Sequence, residues 1–152
     1  MTIAMRVSVE VRKKSKVTVS NQLLKRVVLQ TIRKSRLAIQ RRGSFALSIA
    51  FVSDREIQKL NRCYRQVDAP TDILSFANYR TSQAIEKAPR GELMLGELVI
   101  SAAAVRRSAK ERELSYQSEL RYILSHGVLH LLGFGHGEKM FSIQDALLKS
   151  TL

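Results

Sequence analysis

Val7, Val9 and Val11 alternate with Ser8, Glu10 and Arg12, which is the period of a strand with one buried face. Ser20 suits a helix N-cap, and after it the apolar residues Leu23, Leu24, Val27, Val28 and Ile32 return at helical spacing with basic residues between them. This predicts an amphipathic helix ending near Gly43. Phe45, Leu47, Ile49 and Phe51 restore the period of two, and Ser53 with Glu56 forms a capping box for a short helix through Leu60. Residues 72–77 and 95–100 read as a third and a fourth strand, separated by a polar connection that holds Pro89 and Gly91. Ser101 opens an alanine-rich helix reaching about Glu113, and Ser115 caps a longer one running to Leu132, where Gly133 is the natural stop. A last amphipathic piece, residues 141–149, is expected to pack on the outside. Helices clustered after four strands predict an α+β domain.

Composition adds little to that picture, whereas charge adds more. With 152 residues, 45% of them apolar, and no linker, repeat or low-complexity tract, the chain reads as one domain spanning residues 1–152. The N-terminus lacks the apolar run of a signal peptide and no stretch approaches a membrane span, so the expected compartment is the cytoplasm and no membrane partner is expected. Cys63 is the only cysteine, which excludes an internal disulfide and a cysteine-based zinc ribbon. The net charge is +13, and residues 1–43 hold twelve Lys or Arg against one acid, Glu10. Such a field draws polyanions, because each neutralised phosphate releases condensed counterions, and it points to RNA, DNA or a ribosome.

All three histidines fall within residues 126–136. His126 and His130 are four apart on the predicted helix, so their rings project from one face. Gly133 lets the chain leave the helix in a left-handed conformation, and the turn after it can return His136 towards the other two. A lone histidine is ordinarily a satisfied core residue, but here three donors, a helix and its stop fit one geometry. Three imidazoles leave a coordination position open, as in a catalytic zinc site, with one Zn²⁺ per chain expected and nickel, copper or iron tolerated. The spacing is also that of metzincin proteases, yet Gly127 stands where those enzymes carry the general-base glutamate. Glu119 lies two turns before His126 on the same face, placed either to orient a ligand and relay a proton or to be a solvated acid.

Four segments in order resemble the signature blocks of the YbeY family of bacterial endoribonucleases and ribosomal RNA maturation factors. They are residues 60–65 (Leu-Asn-Arg-Cys-Tyr-Arg), 70–76 (Pro-Thr-Asp-Ile-Leu-Ser-Phe), 95–101 (Leu-Gly-Glu-Leu-Val-Ile-Ser) and the histidine segment, so that the resemblance covers roughly residues 50–136. It implies a zincin-like fold, a metal held by His126, His130 and His136, and single-strand-selective RNA cleavage in ribosome maturation and quality control. It also makes Arg65 the functional arginine, a role in which a guanidinium offsets charge developing on phosphoryl oxygens; on charge alone Arg65 is a surface cation or an ion-pair partner of Asp68. Asp72 either caps a turn or orients the site. Two positions depart from the family pattern: Gly135 and Glu97 each replace a usual aspartate, and at Gly135 the loss removes a carboxylate beside His136 that would steady its ring and strengthen metal binding.

The expectation is thus a small mixed sheet of about four strands packed with helices, with the metal site on a helix of the C-terminal half and the turn that follows. The expected activity is metal-dependent hydrolysis of RNA, with Arg65 catalytic, the three histidines as ligands, and Glu119 and Asp72 in support. Ribosomal RNA or the small ribosomal subunit is the expected partner, with ribosomal proteins beside it. The competing readings are a ribosome-associated assembly factor whose metal is structural, and a zinc metalloprotease.

Overall fold

The two alternating patterns nearest the N-terminus become β1 (Arg6–Lys13) and β2 (Ser44–Val52), paired in parallel, in a computed structural model that describes residues 5–35 and 43–149. Between them runs α1 (Asn21–Ser35), capped by the Ser20 hydroxyl, which accepts from the Leu23 amide at 3.1 Å. Its apolar stripe Leu24, Val27, Val28 and Ile32 is buried, while Lys25, Arg26, Arg33 and Lys34 are exposed. The expected end of this helix near Gly43 falls in residues 36–42, outside the described residues. Next come α2 (Asp54–Arg65), β3 (Ile73–Ala77), α3 (Ser82–Lys87) and β4 (Leu93–Ser101), then α4 (Ala102–Glu111), α5 (Tyr116–Leu131) and α6 (Glu138–Lys149).

The strand order is β1-β2-β4-β3, with β4 parallel to β2 and β3 antiparallel to β4 at one edge. This is the expected small mixed four-stranded sheet packed with helices, whose four strands the hydrophobic pattern predicts. Its two faces bury different sets. Phe45, Leu47, Ile49 and Phe51 of β2 pack with α1 and α5 on one face, whereas Ala50 and Val52 meet Ile57 of α2, Leu74 and Val99 on the other. Along β4 the alternation changes parity: Leu93 and Leu95 share their face with Leu98 and Ile100. The cause is an irregularity in the β2–β4 register at Gly96, whose φ is +145° and where a Cβ would stand 2.2 Å from the Phe76 carbonyl oxygen.

The structure corrects several boundaries. Helix α2 continues past Leu60 to Arg65, because polar side chains extend a helix as readily as apolar ones when its end is closed. Closure comes from Gln66 in the left-handed region, from the Val67 amide on the Asn61 carbonyl at 3.3 Å, and from the Asn61 side-chain amide donating to Ala69 O at 2.9 Å. Only half of the expected capping box forms: Ser53 Oγ accepts from the Glu56 amide, while the Glu56 carboxylate turns to Lys14. The polar connection between β3 and β4 contains α3, which Thr81 caps and whose Ile85 is fully buried. The last helix is more than an outer layer, since Met140, Ile143, Gln144 and Leu147 are buried.

Helices α2 and α4 are tied at their N-terminal ends. Ser101 Oγ caps α4 at the Ala104 amide and donates to Asp54 Oδ1 at 2.7 Å, and Arg107 grips both Asp54 oxygens at 2.6 and 3.0 Å. The Arg107 hydrogen bonds hold the Asp54 carboxyl below its ordinary value of 3.8. A depressed carboxyl pKa contributes stability above the unfolded value and loses it as pH falls below that value. Asp54→Asn should therefore lower stability at neutral pH by roughly 0.5–1 kcal/mol, given the partial exposure of the pair. The gap to wild type in denaturant titrations should close as the medium is acidified past 3.8.

Candidate metal centre

The site begins with how closely α5 lies on the sheet. At Gly127 a Cβ would stand 2.5 Å from Ile73 Cδ1 and 2.9 Å from Leu98 Cδ2, so a larger residue there would need the ends of both side chains to shift. Gly127 supplies no carboxylate, so the base that a metzincin protease carries at that position is absent. With α5 seated so, His126 and His130 stand one turn apart at the rim of a cleft of about 490 Å³. Arg65, Asp72, Ser75, Tyr122 and His136 complete much of its lining.

The third histidine arrives through the end of α5. Gly133 has φ +89°; its amide donates to His130 O at 3.0 Å, and the Phe134 amide donates to Leu129 O at 3.0 Å, the paired bonds of a Schellman stop. A Cβ on Gly133 would lie 2.6 Å from the Ser82 amide nitrogen, because the start of α3 is pressed against the bend. Ser82 Oγ fixes that contact by donating to Leu132 O at 2.7 Å.

His126 Nε2 lies 3.0 Å from His130 Nε2 and 3.2 Å from His136 Nε2. One candidate ligand atom from each of the three rings lies within 4.8 Å of the others, so the cluster could hold a metal ion. Imidazole nitrogens bound to a tetrahedral cation at about 2.0–2.1 Å would be about 3.3 Å apart, and the two measured separations fit that edge. The nitrogen chemistry fits as well. His130 Nδ1 is 3.0 Å from the Phe134 carbonyl, which can only accept, so Nδ1 carries the hydrogen and Nε2 presents its lone pair to the cluster. Burial pushes the His130 imidazole below its ordinary value of 6.5, followed by the nearby charge of His126, against the opposing pull of the Phe134 carbonyl. The neutral ring is the form that ligates.

Arg65 reaches the cleft from the far side of the sheet. It ends α2, passes the free edge of β3, donates from Nη2 to Ser75 O at 2.8 Å and lies 5.5 Å from the centre of the Phe76 ring. Asp68 takes Gln58 Nε2 at 3.1 Å instead, so the contemplated Arg65–Asp68 ion pair gives way to these contacts. Asp72 lies on the cleft wall, where Oδ1 accepts from the Ile73 amide at 2.7 Å and its carbonyl accepts from the Ser101 amide at 2.9 Å. Those bonds set the start of β3.

Glu119 is 1% exposed, and its carboxylate is held by Arg112 Nη1 at 3.0 Å to each oxygen, with Ser108 Oγ at 3.4 Å. The structure therefore joins it to α4 and its C-cap rather than to the histidines. Two turns of helix separate it from His126 by about 10 Å along the axis, beyond the reach of its side chain. Sequence reasoning missed Gln144 of α6, 1% exposed, whose Oε1 lies 3.4 Å from His126 Nδ1. Its only signal in the sequence is a polar residue on the otherwise apolar stripe Met140, Ile143 and Leu147.

The chain matches the family model described as Endoribonuclease YbeY over residues 9–151. It is 36% identical over 134 residues to the Endoribonuclease YbeY of Halalkalibacterium halodurans, covering 83% of this chain and 82% of that protein. With the Endoribonuclease YbeY of a Picosynechococcus species it shares 40% identity over 111 residues, 70% of this chain and 68% of the relative. A solution structure of a Thermotoga maritima protein superposes with a TM-score of 0.58 at 23% identity, covering 93% of this chain and 87% of the other, which supports the fold.

Nothing lies within 4 Å of a Cβ built at Gly135, so an aspartate fits beside His136, whose Nδ1 has no partner among the described residues. Glu97, the other departure, is exposed on β4 opposite Phe76. Gly135→Asp should steady the His136 ring and tighten metal binding by up to about tenfold, read by competition with a chelating dye.

Proposed function

Because the chain belongs to the YbeY endoribonuclease family, we propose that it is a zinc-dependent hydrolase, one domain over residues 1–152, that cleaves single-stranded RNA in ribosomal RNA maturation and ribosome quality control. The observation that supports this best is the gathering of one nitrogen from each of the three imidazoles within 4.8 Å in an open cleft that Arg65 also lines. His126, His130 and His136 are the ligands in this reading. A divalent cation bound there supplies Lewis acidity towards a phosphoryl oxygen and activates water near neutral pH.

The chain's own side chains perform the rest. The Ser75 carbonyl anchors one Nη of Arg65, leaving the guanidinium's other donors to bridge non-bridging phosphate oxygens and to offset the charge that grows there as the phosphodiester is attacked. Asp72 holds the edge strand on which Arg65 rests. Lys25, Arg26, Arg33 and Lys34 on the exposed face of α1 neutralise phosphates further along the strand, so binding weakens as salt rises. The ribosome or its small subunit, with ribosomal proteins nearby, is the partner in this reading, and the cytoplasm its setting, where the exposed thiol of Cys63 stays reduced. No helix among the described residues is long and apolar enough to cross a membrane.

His126→Ala or His130→Ala should abolish both zinc retention, read by elemental analysis, and cleavage of a defined single-stranded RNA; cleavage at the wild-type rate would sink the proposal. If either variant still matured ribosomal RNA in cells lacking the wild-type protein, an assembly factor with a structural metal would be the better reading. Arg65→Ala should keep the zinc and lose about 10²–10³ in kcat, the scale of one electrostatic contact to a developing charge.

A further inference from the structure

His126 is oriented from outside its own helix. Its Nδ1 faces Oε1 of Gln144 at 3.4 Å, and Gln144, on α6, is 1% exposed, so its amide must find partners inside the protein. The other end of that amide, Nε2, donates to the Tyr122 carbonyl at 3.3 Å, a carbonyl that the Ser125 hydroxyl also reaches. A backbone carbonyl only accepts, so it draws the NH₂ group to its own side and turns Oε1 towards the imidazole. An amide oxygen also only accepts. His126 must therefore carry its hydrogen on Nδ1, which leaves the Nε2 lone pair facing Nε2 of His130 and His136 at 3.0 and 3.2 Å.

We propose that Gln144 is the positioning residue for His126: it fixes the Nδ1–H tautomer and the ring orientation, so that α6, which supplies no ligand, sets the affinity of the centre. The proposal rests on reading the three histidines as a metal site, as above. It assigns to a neutral amide the work that a carboxylate or a backbone carbonyl does behind most histidine ligands, and that the Phe134 carbonyl does behind His130. A neutral partner suits the position, since a carboxylate there could not donate to Tyr122 and would place a charge in a buried setting.

The test uses the full chain, metal-free and then titrated with Zn²⁺. Ring ¹⁵N shifts of the metal-free protein, taken above the ordinary histidine titration range, should show His126 protonated on Nδ1. Gln144→Met, close in volume, should mix the His126 tautomers, leave the His130 signature unchanged and weaken Zn²⁺ binding about 10- to 100-fold. Gln144→Glu, which keeps the acceptor at the cost of the donor bond to Tyr122, should return the Nδ1–H signature and bind Zn²⁺ more tightly than Gln144→Met. Wild-type His126 protonated on Nε2 would overturn the proposal whether or not the variants fold. So would a Gln144→Met protein whose tautomer and Zn²⁺ affinity stay within threefold of wild type. Failure of the wild type to bind Zn²⁺ at all would instead overturn the metal reading, and the tautomer measurement separates the two.

Discussion

A single helix can aim only two of three donors at one point, because side chains spaced by a turn share a face and the next in line has already drifted away. Everything at this site depends on how the third donor is delivered. The Schellman stop reverses the chain within three residues of His130, and the bend is clamped by the start of α3, which leaves no room for a side chain at Gly133. The same stop presents the Phe134 carbonyl to His130 Nδ1, so one local motif ends the helix, turns the chain and fixes the tautomer of His130.

The rest of the fold serves the seating of α5. Gly127 lets the helix come down onto Ile73 and Leu98, and the irregularity at Gly96 restores the inward face of β4 beneath it. The lone pairs that His126 and His130 turn towards each other at 3.0 Å repel unless a cation or a donated hydrogen comes between them, and the partly buried setting sharpens that repulsion. The protein accepts this arrangement because Phe134 and Gln144 hold two of the rings from behind. His136, exposed and flanked by Gly135 and Gly137, is held least.

Much of this was legible in the sequence because it rests on local rules. The strands followed from alternation, the cap of α5 from Ser115, and the histidine geometry from a spacing of four and a glycine. Only the resemblance pointed to Arg65, whose place on the cleft wall no local rule foretells, since nothing local tells a surface arginine from one wrapped round a strand edge. Glu119 was misplaced because sharing a helix face says nothing of distance along the axis, and a buried acid takes the closest cation, here Arg112. Helix α3 was missed for want of apolar periodicity, with Ile85 its one buried residue. Gln144 lay beyond any motif because its partner is eighteen residues away on another helix.

The arginine and the histidines come from opposite faces of the sheet, with only the edge strand β3 between them. The spacing between guanidinium and imidazoles is thereby gauged by the width of one extended backbone, a dimension that covalent geometry fixes. Loops around the rim can lengthen, shrink or change composition without retuning that gauge. Changes at the rim are thus uncoupled from the reach between the guanidinium on one wall and the imidazoles on the other.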